Sequence, residues 1–255
     1  MASPSPAVSG ESAFQMKMAP GLICDARHTP FGIPLIDAIL EKRSQLTRKT
    51  QRTLLSRVSK WRHDKKSGKT SRPCVLDKVT KGGKIEWVYL MATFGGQHPD
   101  DLAPEIRDFL VEMDTQNALR DPKYQLVSSQ PQMRGSGGKP SWVLCRRCQP
   151  VFEDGQNGML DVWQKESIEG GIWVLPPELK VIRLHEKQAH ESWDAANHGR
   201  METHARQVLH NCHQTSASRR GTPAPSLKPV STRTRLGPSP LVPASTKRSN
   251  LDIFL

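Results

Sequence analysis

Two cysteines separated by two arginines are the first candidate for chemistry in this chain. The stretch Cys145-Arg-Arg-Cys148 is a C-x-x-C turn, which can bring two thiolates within reach of one zinc ion. Six of the nine histidines follow between residues 185 and 213. We predict a zinc site of Cys145, Cys148, His210 and His213, because histidines three residues apart share one face of a helix. The last two ligands stay open among this set: His185, His190, His210, Cys212 and His213.

The other cysteines do not suggest disulfides. The chain has five, an odd number at scattered positions, and residues 1–20 lack the charged and apolar regions of a secretory signal. We therefore expect an intracellular protein of the nucleus or the cytoplasm, with no membrane span because no run of about 18 apolar residues occurs. If no metal binds, Cys145 and Cys148 are ordinary residues at the end of a strand.

The positive charge is concentrated in two segments. Residues 42–72 contain twelve Lys and Arg against one Asp, and residues 214–255 contain seven against one. Residues 73–213 carry sixteen basic and nineteen acidic side chains, a net charge of −3. Twelve like charges repel one another unless an anion neutralises them, and nucleic acid is the leading candidate. An acidic membrane surface is the competing partner.

The first basic segment has the pattern of a long amphipathic helix. Apolar residues from Leu35 to Trp61 recur at helical spacing, which predicts one helix over 33–67. Its leucines could mediate self-association or docking onto the rest of the chain. Its other face carries the residues predicted to contact phosphate: Lys42, Arg43, Arg48, Lys49, Arg52, Arg57, Lys60, Arg62, Lys65 and Lys66.

The middle of the chain, 70–213, has the pattern of one small α+β domain with a candidate zinc site. Helices are expected over 98–120 and 185–213. Apolar runs predict strands in these segments: 84–94, 124–128, 142–145, 159–163, 172–175 and 179–184.

Both ends of the chain are expected to be disordered. Residues 1–32 are rich in Ser, Pro and Ala, and residues 214–255 form a basic tail rich in Ser, Thr and Pro. In the tail, Ser or Thr stands beside Arg or Lys in three short clusters. Phosphorylation there would cancel positive charge, and the same clusters are compatible with nuclear import.

No common catalytic motif is present, so the leading hypothesis is a non-enzymatic, nucleic-acid-binding regulatory or viral accessory protein. RNA is favoured over DNA because no DNA-reading module is recognisable and a basic helix suits recognition by shape. A second hypothesis is an adaptor that binds a protein partner through its α+β domain, with the basic segments serving localisation. A third is a metal-dependent nuclease that uses the cysteines and histidines.

Overall fold

A mixed seven-stranded sheet forms the centre of the protein. The computed structural model describes residues 17–63, 71–135, 137–152, 157–163, 170–196 and 199–218. The strands, in chain order, are β1 (Ile23–Asp25), β2 (Pro73–Val79), β3 (Ile85–Ala92), β4 (Leu110–Met113), β5 (Leu126–Val127), β6 (Ser129–Gln130), β7 (Ser141–Leu144), β8 (Asp161–Val162) and β9 (Trp173–Val174). The order in the sheet is β5-β4-β7-β3-β2-β1-β8, with β4 and β5 parallel and the other neighbours antiparallel. β6 and β9 form a separate two-stranded ribbon.

Helices pack on this sheet and on one another. They are α1 (Gly32–Glu41), α2 (Arg48–His63), α3 (Pro104–Arg107), α4 (Pro176–Ala196) and α5 (Met201–Ser218). α1, α2 and α5 are in mutual contact. Helices together with a mixed sheet confirm the predicted α+β class. Among the described residues, no helix combines the length and apolar character needed to cross a membrane.

Alternating side chains divide the core into two clusters. Along β3, Val88 and Leu90 belong to a first core cluster, whereas Tyr89 and Met91 belong to a second. This alternation arises because successive residues of a strand point to opposite faces. The first core cluster also contains the apolar residues of α1, α2 and α5, while the first turns of α4 contribute to the second.

The basic segment folds as two helices, not as the single helix predicted over 33–67. A 3-10 turn over Arg43–Gln45 follows α1, and Leu46 is extended at φ −112° and ψ 146°. Thr47 then caps α2, because its hydroxyl accepts the backbone N–H of Thr50 at 3.3 Å. Both helices lie between β1 and β2 in the chain and bury apolar residues in the first core cluster. They are therefore part of the domain and do not precede it.

The described part of the N-terminal segment also differs from the unstructured segment predicted over 1–32. β1 lies between β2 and β8 in the sheet, and Leu22, Ile23 and Cys24 are fully buried. A strand of three residues is too short to show a period of two in the sequence. Its partners, moreover, lie far along the chain. Residues 1–16 lie outside the described residues.

Two further predictions of local structure are wrong. The segment 98–120 forms a 3-10 turn over Pro99–Asp101, the short α3 and then β4, in place of one helix. β4 pairs with β7 along its length, and this tertiary pairing outweighs local helix propensity. The segment 179–184 lies inside α4 and is not a strand, and its buried residues Leu179 and Ile182 are three positions apart.

The remaining strand predictions are confirmed. β3, β5, β7, β8 and β9 lie where the apolar runs placed them. The helical segment expected from residue 185 is observed as the later part of α4 and as α5. α5 continues to Ser218, past the predicted domain end at 213. The rest of the predicted tail, 219–255, lies outside the described residues.

Glu202, in the first turn of α5, ties α5 to the N-terminus of α2. Its carboxylate accepts the hydroxyl of Thr50 at 2.6 Å and the backbone N–H of Thr47 at 2.9 Å. Arg206, one turn along α5, approaches the same carboxylate at 3.1 Å. These donors, the Thr50 hydroxyl foremost, lower the pKa of Glu202 to about 2. The contact therefore favours the ionised carboxylate at a helix N-terminus, where a negative charge is stabilising.

Replacing Glu202 by Gln is expected to lower the free energy of unfolding by about 1 kcal/mol at neutral pH, as loss of a helix cap does. Because the pKa of Glu202 is depressed in the folded protein, its contribution is complete above the ordinary value of 4.5 and is lost as the pH falls through about 2. Urea denaturation should show a difference from the wild type that shrinks in acid. Glu191→Gln, an exposed carboxylate on α4, is the control, and an equal loss in both variants would contradict the contact.

Candidate nucleic-acid interface

α2 separates a buried apolar face from an exposed cationic one. Its buried residues recur at spacings of three and four: Thr50, Leu54, Val58 and Trp61. The opposite side carries four exposed cations that we call the α2 cationic face: Arg48, Lys49, Arg52 and Lys60. At 1.5 Å per residue they extend along about 18 Å of helix. Burial of one face thus fixes the direction in which the cations point.

The α2 cationic face lacks carboxylates that would neutralise it. The helix contains no Asp or Glu between residues 48 and 63. Within the described part of the chain, none of its four cations forms an ion pair. Neighbouring like charges create a positive potential that attracts anions, most strongly at low salt. The arrangement suits an extended polyanion better than a single small ligand.

Two of the predicted phosphate contacts are instead engaged inside the protein. Lys42 forms an ion pair with Asp194 of α4 at 2.6 Å. Arg62 forms an ion pair with Asp37 of α1 at 3.3 Å. These side chains hold α1 and α2 in place, and they are unavailable to an outside ligand unless the pairs open.

The other predicted phosphate contacts differ in their surroundings. Arg57 is half-buried, and its guanidinium carbon lies 5.9 Å from the ring centre of Trp61. Arg43 is exposed in the turn before α2. Lys65 and Lys66 lie outside the described residues. Of the ten predicted residues, the structure therefore groups four on one exposed face.

Within the described residues, the structure does not bring the predicted zinc ligands together. Cys145 lies in the second core cluster and Cys148 in the first, and both thiols are fully buried. Burial raises the pKa of both thiols, which disfavours the thiolate that zinc requires. His210 and His213 are on α5, but their side chains lie outside the described residues, as does that of Cys212. Within the described ranges, no three His, Cys, Asp or Glu are placed to hold a metal, and zinc stays a prediction.

The two alternative histidine ligands, His185 and His190, are half-buried on α4. His190 meets the ring of Phe109 edge-on, with the ring centres 5.0 Å apart. Burial lowers the pKa of His190 to about 4, with the nearby positive charge of Arg146 adding to the effect. Burial also lowers the pKa of His185. Both imidazoles are therefore favoured in the neutral form at physiological pH.

Arg146, one of the two arginines between Cys145 and Cys148, lies in an unusual environment that the sequence analysis did not predict. Its side chain is only 2% exposed, and none of its three guanidinium nitrogens has a hydrogen-bond partner among the described residues. The guanidinium carbon lies 3.5 Å from the ring centre of Phe109 and 4.7 Å from that of Trp193. Burial lowers the pKa of Arg146 to about 9, although nearby carboxylates oppose the shift.

The sequence does contain a signal for this burial. Residues Trp142, Leu144 and Cys148, which alternate with Val143 and Cys145, all belong to the first core cluster. Residue 146 continues that alternation and should point to the same side of the sheet. A charged residue at an inward position is unusual.

Comparisons with known proteins do not assign the chain to a family. The chain matches no protein-family model, no curated protein and no solved structure. Function is therefore inferred from the residues and contacts themselves.

Replacing Arg146 by Met is expected to raise the free energy of unfolding by about 1 kcal/mol or more. A buried charge without hydrogen bonds is less favourable than an apolar side chain of similar volume, even when aromatic rings contact it. Urea denaturation measures the change, with Arg147→Met as the control because the Arg147 side chain is 54% exposed. A loss of more than about 2 kcal/mol in Arg146→Met alone would show that the aromatic contacts hold the fold together.

Proposed function

We propose that the protein is a non-enzymatic nucleic-acid-binding protein with a regulatory or accessory role, and that it prefers RNA to DNA. The observation that carries this proposal is the α2 cationic face, four exposed cations on a helix without a carboxylate. Each phosphate that they neutralise releases condensed counterions, which favours binding. The tail, 214–255, has a net charge of +6 and would add contacts of the same kind.

The burial of α2 favours a nucleic acid over a membrane surface. A helix that binds a bilayer inserts its apolar face among the lipids. In α2 the apolar face is already packed in the first core cluster, where Leu54 is fully buried. The exposed side of α2 offers four cations and a single exposed leucine, Leu55, which is a small apolar area for insertion into a bilayer. Such a mainly charged surface suits the phosphates of a polynucleotide.

The packing of α2 against the rest of the domain also favours RNA over a specific DNA site. A DNA-recognition helix enters the major groove and presents side chains to base edges. α2 instead lies against α1 and α5 and offers an exposed side on which Arg and Lys stand among Ser, Thr, Leu and His, without a carboxylate. Such a surface contacts the backbone and reads shape, which is how duplex RNA is mostly recognised.

Replacing Lys49, Arg52 and Lys60 by Ala is expected to weaken RNA binding about tenfold or more at physiological salt. The slope of log affinity against log salt concentration should become shallower by about 2 for single-stranded RNA, because three phosphate contacts are lost. Fluorescence anisotropy across a salt titration measures both quantities. The same titration on duplex RNA and duplex DNA ranks the two nucleic acids.

The matched control removes three exposed lysines elsewhere on the surface, Lys81, Lys139 and Lys180. It changes the net charge by the same amount and should leave most of the affinity intact. Equal losses in the two triple variants would mean that net charge, and not the α2 cationic face, drives binding. If the wild-type protein binds none of the three nucleic acids, the adaptor hypothesis takes the place of this proposal.

A further inference from the structure

A second group of cations lines a pocket between α1, α4 and the segment that follows β7. The cavity has a volume of about 780 Å³, which lies within the range typical of small-molecule sites. Its positively charged lining residues come from α2, the segment after β7, and α4: Arg62, Arg146, Arg147, Arg183 and Lys187. No residue of the α2 cationic face lines it, so the pocket and its ligand do not depend on the function proposed above.

Arg146 distinguishes this pocket from a merely charged surface. Its guanidinium is buried at the pocket wall, yet none of its nitrogens has a hydrogen-bond partner among the described residues. Buried polar groups in native proteins are normally hydrogen-bonded, because an unsatisfied donor loses its hydration without compensation. The aromatic rings of Phe109 and Trp193 contact the guanidinium carbon but accept no conventional hydrogen bond. Each guanidinium nitrogen has less than 1 Å² of accessible surface, so the donors of Arg146 meet an acceptor in the pocket only after the covering side chains shift.

The carboxylates of the pocket do not fill this role. Asp37 is paired with Arg62 at 3.3 Å. Glu186 accepts the hydroxyl of Tyr89 at 2.8 Å and the backbone N–H of Arg147 at 3.0 Å. Glu41, the third lining carboxylate, is exposed. Asp77, just outside the lining, forms an ion pair with Arg183 at 2.7 Å and lies 3.9 Å from Arg147. Five lining cations against the three lining carboxylates and Asp77 (5 − 4) leave a net charge of +1.

We infer that this pocket binds a phosphate monoester, with the buried Arg146 as its principal hydrogen-bond donor and Arg147 and Lys187 as its outer cations. The net positive charge of the pocket attracts a phosphate group, and the phosphate oxygens can accept two parallel N–H bonds from one guanidinium. Trp87, which also lines the pocket and lies beneath the guanidinium of Arg147 at 5.7 Å, offers an aromatic surface for an attached base. The phosphate belongs to a nucleotide, either free or at the 5′ end of an RNA chain.

Calorimetric titration of the full chain with AMP and with adenosine tests this inference for a free nucleotide. A second pair of probes, one oligoribonucleotide with a 5′-phosphate and the same one with a 5′-hydroxyl, tests it for an RNA end. AMP binding without adenosine binding identifies the free nucleotide as the source of the phosphate. A preference for the 5′-phosphorylated oligomer without AMP binding identifies the RNA end. Equal behaviour within both pairs overturns the inference.

Four variants assign the binding to the pocket. Arg147→Ala and Lys187→Ala alter exposed side chains, so they should fold normally and weaken the phosphate-dependent binding about tenfold each, as loss of a charged hydrogen bond does. Arg146→Met should abolish it. Lys180→Ala, two turns earlier on α4 and outside the lining, should leave it unchanged. Phosphate-dependent binding that survives in all three pocket variants would overturn the assignment, whatever happens to RNA binding by the α2 cationic face.

Discussion

The apolar face of α2 is buried in the first core cluster. The positions of the α2 cationic face and of the pocket beside α4 both depend on this burial. Leu54 and Trp61 pack under the sheet together with residues of α1 and α5, and burial of such side chains stabilises by about 1.5–3 kcal/mol each. Because that face is fixed, the cations on the opposite face must point to solvent. The same docking turns Arg62 inward, where it pairs with Asp37 and reaches the pocket beside α4.

The protein thus holds positive charge in two different physical settings. The exposed cations of α2 remain hydrated, contribute little to stability, and attract a polyanion through counterion release. Arg146 is dehydrated between two aromatic rings and keeps its donors unsatisfied. A folded chain retains such a group at a cost in stability, and a ligand that supplies the missing acceptor offsets that cost. The exposed cations of α2 suit sequence-independent contact along a nucleic-acid strand. The buried Arg146 suits a single phosphate group at a defined position.

Local sequence patterns predicted the parts of the fold that are locally determined. The apolar run of β3 and the helical spacing of α2 were sufficient to place those elements and to identify the cations of α2. The break between α1 and α2 was missed because it depends on Thr47 and its contact with Glu202, which is distant in sequence. β1 and β4 were missed because pairing across the sheet, and not propensity, makes them strands. Cys145 and Cys148 led the sequence analysis to predict zinc. In the structure the unusual environment is instead that of Arg146, which follows Cys145.

Lysine acetylation followed by mass spectrometry, with and without RNA, tests the central claim most directly because it reads individual side chains in the wild-type protein. Lys49 and Lys60 lie on the α2 cationic face, and Lys81, Lys139 and Lys180 are exposed elsewhere. We expect RNA to protect the first two from acetylation and to leave the other three reactive. Protection of all five lysines alike, or of the last three alone, would contradict the assignment of α2 as the nucleic-acid interface.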